Sequence, residues 1–185
     1  KERELASANE LLAELSATDG LTGIANRRRF DEMLASEWSR ARRAGQPLTL
    51  AMLDVDMFKQ YNDCYGHQAG DDVLRQVAAE LARRIRRSGD VVARYGGEEF
   101  AIIAQSNGED NALAMADLIC KSVADLRLAH PASPFGVVTV SVGVCVIAPQ
   151  ENDSIIAFIK AADMALYRAK LLGRNRASLA DMVAG

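Results

Sequence analysis

Two pairs of carboxylates stand out by type and spacing. Asp54 and Asp56 close a run of apolar residues, Leu48 to Leu53, and Glu98 and Glu99 follow the pair Gly96-Gly97. In an extended chain, residues two apart project to the same face, which sets Asp54 and Asp56 side by side at the end of a buried strand. Ionised carboxylates in such a place need a partner for their charge. With the Glu98-Glu99 strand as neighbour, Asp54 and one glutamate can share a hard cation. Mg²⁺ is typically held by one or two carboxylates plus substrate phosphates. The same acids also read as solvated strand-end charges.

Three further groups fit the same chemistry. Lys170 and Arg174 are four apart near the end of a helical pattern, so both can face one way and grip a polyphosphate, the arginine in bidentate fashion. Their bland alternative is compensation of a helix dipole. Asn62, Asp63, His67, Asp71 and Asp72 crowd one turn-rich stretch. An Asp can accept from the N1–H and N2–H₂ of guanine, and an Asn amide can both donate and accept. The alternative here is helix capping, for which Asp71 is well placed. Gly96-Gly97 lets a ligand approach the backbone closely, or is simply a tight hairpin turn. Together the four groups supply metal, phosphate and purine recognition, the inventory that nucleotidyl transfer needs.

The elements that must position these residues follow from periodicity. Residues 2–16 form a polar helix with a thin seam of Leu5, Ala8, Leu12 and Leu15 at coiled-coil spacing. This is either a frayed leader or the end of a longer stem, and an opening Lys1 in place of Met suits an excised fragment. Thr18 to Gly23 is a turn-rich junction where the globular part starts. Amphipathic helices are expected over 26–44, 57–64, 71–87, 109–128 and 154–172. Strands are expected over 48–53, 91–95, 98–104 and 137–147, with Gly96-Gly97 as a two-residue hairpin loop. The last residues add an edge strand or fray. Few strands, one hairpin and paired helices give an α+β fold: a mostly antiparallel sheet of about five strands with helices over at least one face.

Composition excludes several classes. The 185 residues carry 22 Lys and Arg against 25 Asp and Glu, a net charge of −3. That balance argues against a nucleic-acid-wrapping role, which needs a cationic surface. No apolar run is long enough to span a membrane, so no direct membrane insertion is expected. Three scattered cysteines, Cys64, Cys120 and Cys145, have no metal spacing and fit a reducing compartment.

From Arg94 to Phe100, Arg-Tyr-Gly-Gly-Glu-Glu-Phe, the chain resembles the GGDEF family of bacterial diguanylate cyclases in its GGEEF spelling. The match extends to Asp19-Gly20-Leu21-Thr22-Gly23 with Asn26-Arg27-Arg28, to Asp54-Val55-Asp56-Met57-Phe58-Lys59, to Asn62-Asp63 with Gly66-His67 and Gly70-Asp71, and to Ala165-Leu166-Tyr167 with Ala169-Lys170 and Gly173-Arg174-Asn175. Five ordered motifs over roughly 18–176 are highly specific. The resemblance implies a catalytic domain over 18–185 behind a stem or linker at 1–17, and a fold like the palm of adenylyl cyclases and polymerases. It implies condensation of two GTP into cyclic di-GMP and two pyrophosphates. Asp54 and Glu98 would hold Mg²⁺, with Mn²⁺ as an alternative, and the Val55 carbonyl would be a further ligand. Glu99 would complete the metal site or activate the attacking 3′-hydroxyl. Asn62 and Asp71 would read guanine. Lys170 and Arg174 would clamp the β- and γ-phosphates with help from amides near Met57 and Phe58. Lys59 and His67 complete the expected substrate-binding set.

Because each domain holds one GTP, the resemblance implies a homodimer, an upstream sensory domain acting through the stem, and a cytoplasmic location with any membrane tether supplied upstream. It also implies an inhibitory product site. Arg87 and Asp90, in Arg87-Ser88-Gly89-Asp90, stand where the family's R-x-x-D motif binds cyclic di-GMP. Where family members often supply a further arginine this chain has Leu118, with Lys121 nearby, a departure that bears on the strength of inhibition. Met57 and Tyr65 replace frequent phenylalanines and keep apolar bulk. Two other readings compete with an active cyclase. A binding module that signals without catalysis usually lacks the turn acids or the metal Asp, and a polymerase-like palm would need a template-binding surface.

Overall fold

The computed structural model describes residues 1–105 and 107–181. Its elements run in the order α1 (Glu2–Leu15), α2 (Arg27–Ala44), β1 (Leu48–Val55), α3 (Phe58–Tyr65), α4 (His67–Arg84), β2 (Val91–Gly96), β3 (Glu99–Gln105), α5 (Glu109–Ala124), β4 (Val140–Ile147), α6 (Ile155–Leu171) and β5 (Ala177–Leu179). The strands form one sheet in the order β2-β3-β1-β4-β5. β1 is antiparallel to β3 and β4, β2 is antiparallel to β3, and β5 lies parallel to β4. The expected α+β class and the mostly antiparallel five-stranded sheet are both present.

β1 is apolar on both faces because both are covered. Leu48, Leu50 and Met52 pack with Phe30, Leu34 and Trp38 of α2 and with Phe158, Ala162 and Leu166 of α6. Ala51, Leu53 and Val55 pack with Val73, Val77 and Leu81 of α4 and with Ala116, Ile119 and Val123 of α5. The period-2 alternation of the strand meets the 3.6 period of four helices, and each fully buried large side chain contributes roughly 1.5–3 kcal/mol. α6 lies especially close to β4: a Cβ on Gly143 would come within 2.1 Å of the Leu166 nitrogen and 2.2 Å of the Ala162 oxygen. Glycine at 143 lets α6 settle onto the sheet, and α6 carries Lys170.

The junction before α2 is a built turn. Asp19 Oδ1 accepts from the Thr22 amide at 2.9 Å and from its hydroxyl at 2.7 Å. Asn26 caps α2 by accepting from the Arg29 amide, and its Nδ2 donates to the Ser16 carbonyl at 2.8 Å, tying the end of α1 to the start of α2. Leu5 and Leu12 of the α1 seam are 69% and 64% exposed. The side chain of Leu15, and residues 182–185 at the end of the expected 18–185 domain, lie outside the described residues.

Several boundaries differ from expectation. α4 begins at His67 rather than 71, because Gly66 at φ 85 carries the chain from α3 straight into the next helix, and it ends at Arg84 rather than 87, where Ile85 turns extended at φ −102. Asp71 therefore sits one turn inside α4 and is not a cap. α5 stops at Ala124 rather than 128, before Arg127 turns left-handed at φ 55, and β4 starts at Val140 rather than 137. The Gly-Gly pair is not the hairpin loop. Gly96 pairs with Glu99, β2 is irregular between Arg94 and Gly96, and the loop is Gly97-Glu98 with Gly97 at φ 46. A left-handed first loop residue suits the strand twist, and Glu98 thereby becomes a loop-tip residue.

The cysteines are free thiols. Burial pushes the Cys120 thiol up to about 12 and the Cys145 thiol up to about 11, so both stay neutral as core side chains. No helix among the described residues is long and apolar enough to cross a membrane.

Candidate active site

The pairing of β1 with β3 brings the acids together. Asp54 stands directly opposite Glu99 in the antiparallel register, so the two side chains leave the same face as a cross-strand pair. The Val55 amide donates to the Glu98 carbonyl at 3.2 Å and holds the Gly97-Glu98 loop against the end of β1. From α6, Lys170 Nζ reaches to 2.9 Å of Asp54 Oδ2. Burial pushes the Asp54 carboxyl above the usual range, Lys170 pulls it back, and the charges of Glu98 and Asp56 add to the rise. Glu99 is raised too, first by burial and then by Asp54, Asp163 and Glu98. Asp163 is raised by burial against the pull of Arg27 and Lys170. Lys170 thus faces a crowd of acids that repel one another.

Asp56 stays near enough to Asp54 for its charge to be felt, but its carboxylate is already engaged. β1 ends at Val55, and Asp56, 3% exposed, accepts from the Thr139 hydroxyl at 2.8 Å, the Ser141 hydroxyl at 2.6 Å and the Asn175 amide at 3.0 Å. It ties the start of β4 and the segment after α6 to the end of β1.

A cleft of about 200 Å³ opens here, lined by Asp54, Val55, Met57, Phe58, Lys59, Glu98, Lys170 and Arg174, with Asp56 and Gln60. α6 ends at Leu171, so Arg174 is not on the helix that carries Lys170. It stands in the following turn at φ 64, its amide bonded to the Ala169 carbonyl at 3.0 Å, and faces the same cleft. The first residues of α3 form another wall. The leading amides of a helix have no partner inside it and favour an anion. Carboxylates, two cations and a helix N-terminus around one cleft suit a polyphosphate bound with a divalent cation. Among the described residues no three His, Cys, Asp or Glu side chains close around one point. Asp54 and Glu98, both in the cleft lining, are carboxylates that could hold a hard cation whose remaining ligands come from phosphate oxygens and water.

Asn62 and Asp71 are not in the lining of this cleft; they lie beyond it on the packed pair α3 and α4. Asn62 Oδ1 is buried and accepts no hydrogen bond, and it lies 1.8 Å from where a Cβ on Gly70 would be. The missing side chain at Gly70 seats Asn62 against the residue preceding Asp71. A buried amide oxygen without a donor is costly. His67 is exposed at the first residue of α4 and is not in the cleft lining.

The remaining expected pair lies elsewhere. Arg87 is exposed between α4 and β2, and Asp90 is half-buried, accepting from the Gln105 amide at 3.3 Å. Burial pushes the Asp90 carboxyl up, the Gln105 amide and the Arg87 charge pull it back, and Glu37 adds to the rise. Leu118 is 48% exposed on α5, and the Lys121 ammonium is bonded to Asp125.

Two neighbours of the cleft escaped the sequence reading, Asp163 through its charge on Glu99 and Gln60 in the lining. Asp163 lies seven residues before Lys170, two helical turns along the same face, and that spacing was a usable signal. Gln60 lines the cleft without one.

Residues 16–176 match the family described as diguanylate cyclase, GGDEF domain. The probable diguanylate cyclase DgcC of Escherichia coli is 37% identical over 177 residues, 96% of this chain and 47% of that protein. The response regulator PleD of Caulobacter vibrioides is 41% identical over 170 residues, 88% of this chain and 36% of that protein. The chain thus spans less than half the length of these curated relatives. The GGDEF domain of DgcB from Caulobacter crescentus, crystallised in complex with c-di-GMP, matches with a TM-score of 0.81 at 37% identity, covering 90% of this chain and 94% of that one.

Proposed function

The chain belongs to the GGDEF family, and we propose that it acts as a diguanylate cyclase, condensing two GTP into cyclic di-GMP with release of two pyrophosphates. The observation that carries this reading is the register of Asp54 against Glu99 with Lys170 on Asp54. Asp54, Glu98, Lys170 and Arg174 line one cleft of a size and charge suited to a triphosphate, with Glu99 beside Asp54 outside its lining.

Lys170, Arg174 and the leading amides of α3 bind the β- and γ-phosphates, and Lys59 adds charge at the rim. Asp54, Glu98 and the Val55 carbonyl hold Mg²⁺, or Mn²⁺ in its place. A cation bound there neutralises charge that builds at the α-phosphate. Asn62 and Asp71 read the guanine edge, Asp71 by accepting from N1–H and N2–H₂. The 3′-oxygen of one GTP forms a bond to the α-phosphorus of the other, the bond to the bridging oxygen of the β-phosphate breaks, and pyrophosphate leaves. Glu99, whose raised carboxyl faces Asp54, is the nearby group that takes the hydroxyl proton or completes the metal site. Positioning and charge neutralisation supply most of the acceleration in phosphoryl-transfer chemistry of this kind.

Each cleft holds one GTP, so turnover needs two copies facing with two-fold symmetry. α1 is the stem through which an upstream sensory domain sets that pairing, in a cytoplasmic setting. The product binds at Arg87 and Asp90 and restrains turnover, more weakly for the lack of a cation at Leu118.

The test is to incubate the purified chain with GTP and Mg²⁺ at several protein concentrations and to identify the products by chromatography. Cyclic di-GMP rising more steeply than linearly with protein supports both the chemistry and the paired domains. GTP binding without product at any concentration, persisting after fusion to a parallel coiled coil upstream of Thr18, overturns the catalytic reading.

A further inference from the structure

We propose that His130 is a positioning residue for the nucleotide cleft: its Nε2–H fixes the Met57 carbonyl and so aims the first amide of α3 at the phosphates. The inference rests on the reading of that cleft as the phosphate end of a GTP site.

His130 comes from the loop between α5 and β4 and is 1% exposed. The loop is held by its own bonds, from the His130 amide to the Gly136 carbonyl at 3.0 Å and from the Val138 amide to the Leu128 carbonyl at 2.8 Å. The ring meets Tyr61 of α3 edge-on at 5.2 Å, and Nε2 lies 3.0 Å from the Met57 oxygen. A carbonyl only accepts, so Nε2 carries the proton. Nδ1 is buried with no partner, and a proton there would be an orphaned buried donor. The ring is therefore the neutral Nε2–H tautomer.

Met57 is where this bond matters. It takes the left-handed φ 52 immediately before α3, a conformation that non-glycine residues hold only when their surroundings enforce it. Its carbonyl accepts twice, from the Tyr61 amide at 3.0 Å and from His130. The carbonyl of Met57 and the amide of Phe58 point opposite ways across one planar peptide. Holding the carbonyl toward the helix therefore holds the Phe58 N–H outward, into the cleft that Met57 and Phe58 line with Lys170 and Arg174. A preset donor costs no reorganisation when the anion arrives.

The test compares His130→Phe, which keeps a ring against Tyr61 but loses the donor, with His130→Gln, which keeps an N–H near the Nε2 position. Readouts are Kd for a non-hydrolysable GTP analogue with Mg²⁺, KM and kcat for GTP, and the melting temperature. Expected are a roughly five- to ten-fold rise in Kd and KM for His130→Phe, with kcat within about two-fold, since one hydrogen bond is at stake. His130→Gln is expected within about two-fold of the parent. His130→Phe with parental Kd and KM, or His130→Gln as impaired as His130→Phe, overturns the proposal. Where the phenylalanine variant does not fold, His130→Asn, too short to reach Met57, takes its place, and equal behaviour of the Asn and Gln variants overturns it. A parent chain that binds no GTP analogue instead overturns the reading of the cleft itself.

Discussion

Lys170 Nζ lies 2.9 Å from Asp54 Oδ2, joining the last turn of α6 to the end of the central strand. The lysine holds the carboxylate that a cation would need, and faces the cleft where phosphates would sit. Two opposite effects follow for Lys170→Met. Without nucleotide, Asp54 loses its competitor, so Mn²⁺ alone should bind more tightly, read by electron spin resonance. With nucleotide, the loss of a charge-assisted bond worth about 1.5–3 kcal/mol should raise the GTP KM roughly ten- to a hundred-fold. Unchanged values of both would remove Lys170 from the site.

Glu99 faces Asp54, and burial together with Asp54, Asp163 and Glu98 raises its carboxyl. A carboxyl raised in the folded state binds protons more readily there than in the unfolded chain. Its ionisation therefore weakens the fold as pH climbs from about 4.5 through the raised value. Glu99→Gln should flatten that decline and leave the neutral-pH melting temperature equal or slightly higher, while product formation falls at least a hundredfold. A melting temperature lowered along with activity would make Glu99 a structural residue.

Asp56 predicts the reverse pattern. Three donors converge on its buried carboxylate, and Asp56→Ala leaves two hydroxyls and one amide without an acceptor. The expected cost is about 2–4 kcal/mol, a drop in Tm of roughly 5–15 °C, checked by calorimetry. Conversely, Asp54→Asn should leave Tm nearly unchanged and abolish turnover, so the two aspartates separate cleanly.

The contrast between Asp54 and Asp56 marks what was legible in the sequence. An apolar run with no polar alternation located β1 at the centre, because a strand covered on both faces has no solvent side. The family resemblance, more than spacing, grouped Asp54, Glu98, Lys170 and Arg174, which line one cleft. Spacing could not say that the Asp56 carboxylate is taken up by hydroxyls, since these lie 83 and 85 residues away in sequence. Nor could it place Gly96 inside β2, because Gly-Gly carries the same turn signal whichever residue begins the loop. The start of α4 was missed for a related reason: His67 to Gly70 look like turn residues, yet Gly66 at φ 85 leads directly into a helix. His130 gave no signal at all, since a single histidine in a loop has no periodicity and its contact with Met57 spans 73 positions.

Arg87 is exposed while Asp90 is anchored to the Gln105 amide, so one arm of the pair is free and the other fixed. Arg87→Ala should raise the product concentration for half-inhibition about ten-fold or more, with the initial rate unchanged. Leu118→Arg should lower it. Progress curves with added cyclic di-GMP read both, and identical curves for parent and Arg87→Ala would leave Arg87 as a surface side chain.

Arg94 links the opening turn to the acidic loop. Its NH1 lies 3.3 Å from both carboxylate oxygens of Asp19, and its Nε donates to the Gly97 carbonyl at 2.9 Å. Partial burial pushes the Asp19 carboxyl up, but the two bonds from Thr22 and the charge of Arg94 outweigh it and hold the group below 3.8. The unfolded chain therefore takes up this proton first as pH falls. The stability due to Asp19 is complete above about 3.8 and is lost as pH drops through the lowered folded value. Asp19→Asn should cost about 1–2 kcal/mol at neutral pH, a Tm lower by roughly 2–8 °C, and should narrow its deficit to the parent below pH 3.8. Because the same arginine holds the Gly97 carbonyl, Asp19→Asn should also slow turnover at neutral pH by loosening the loop that carries Glu98. Melting curves from pH 2.5 to 7 beside rates at neutral pH check both, and a deficit that widens in acid would contradict the sign.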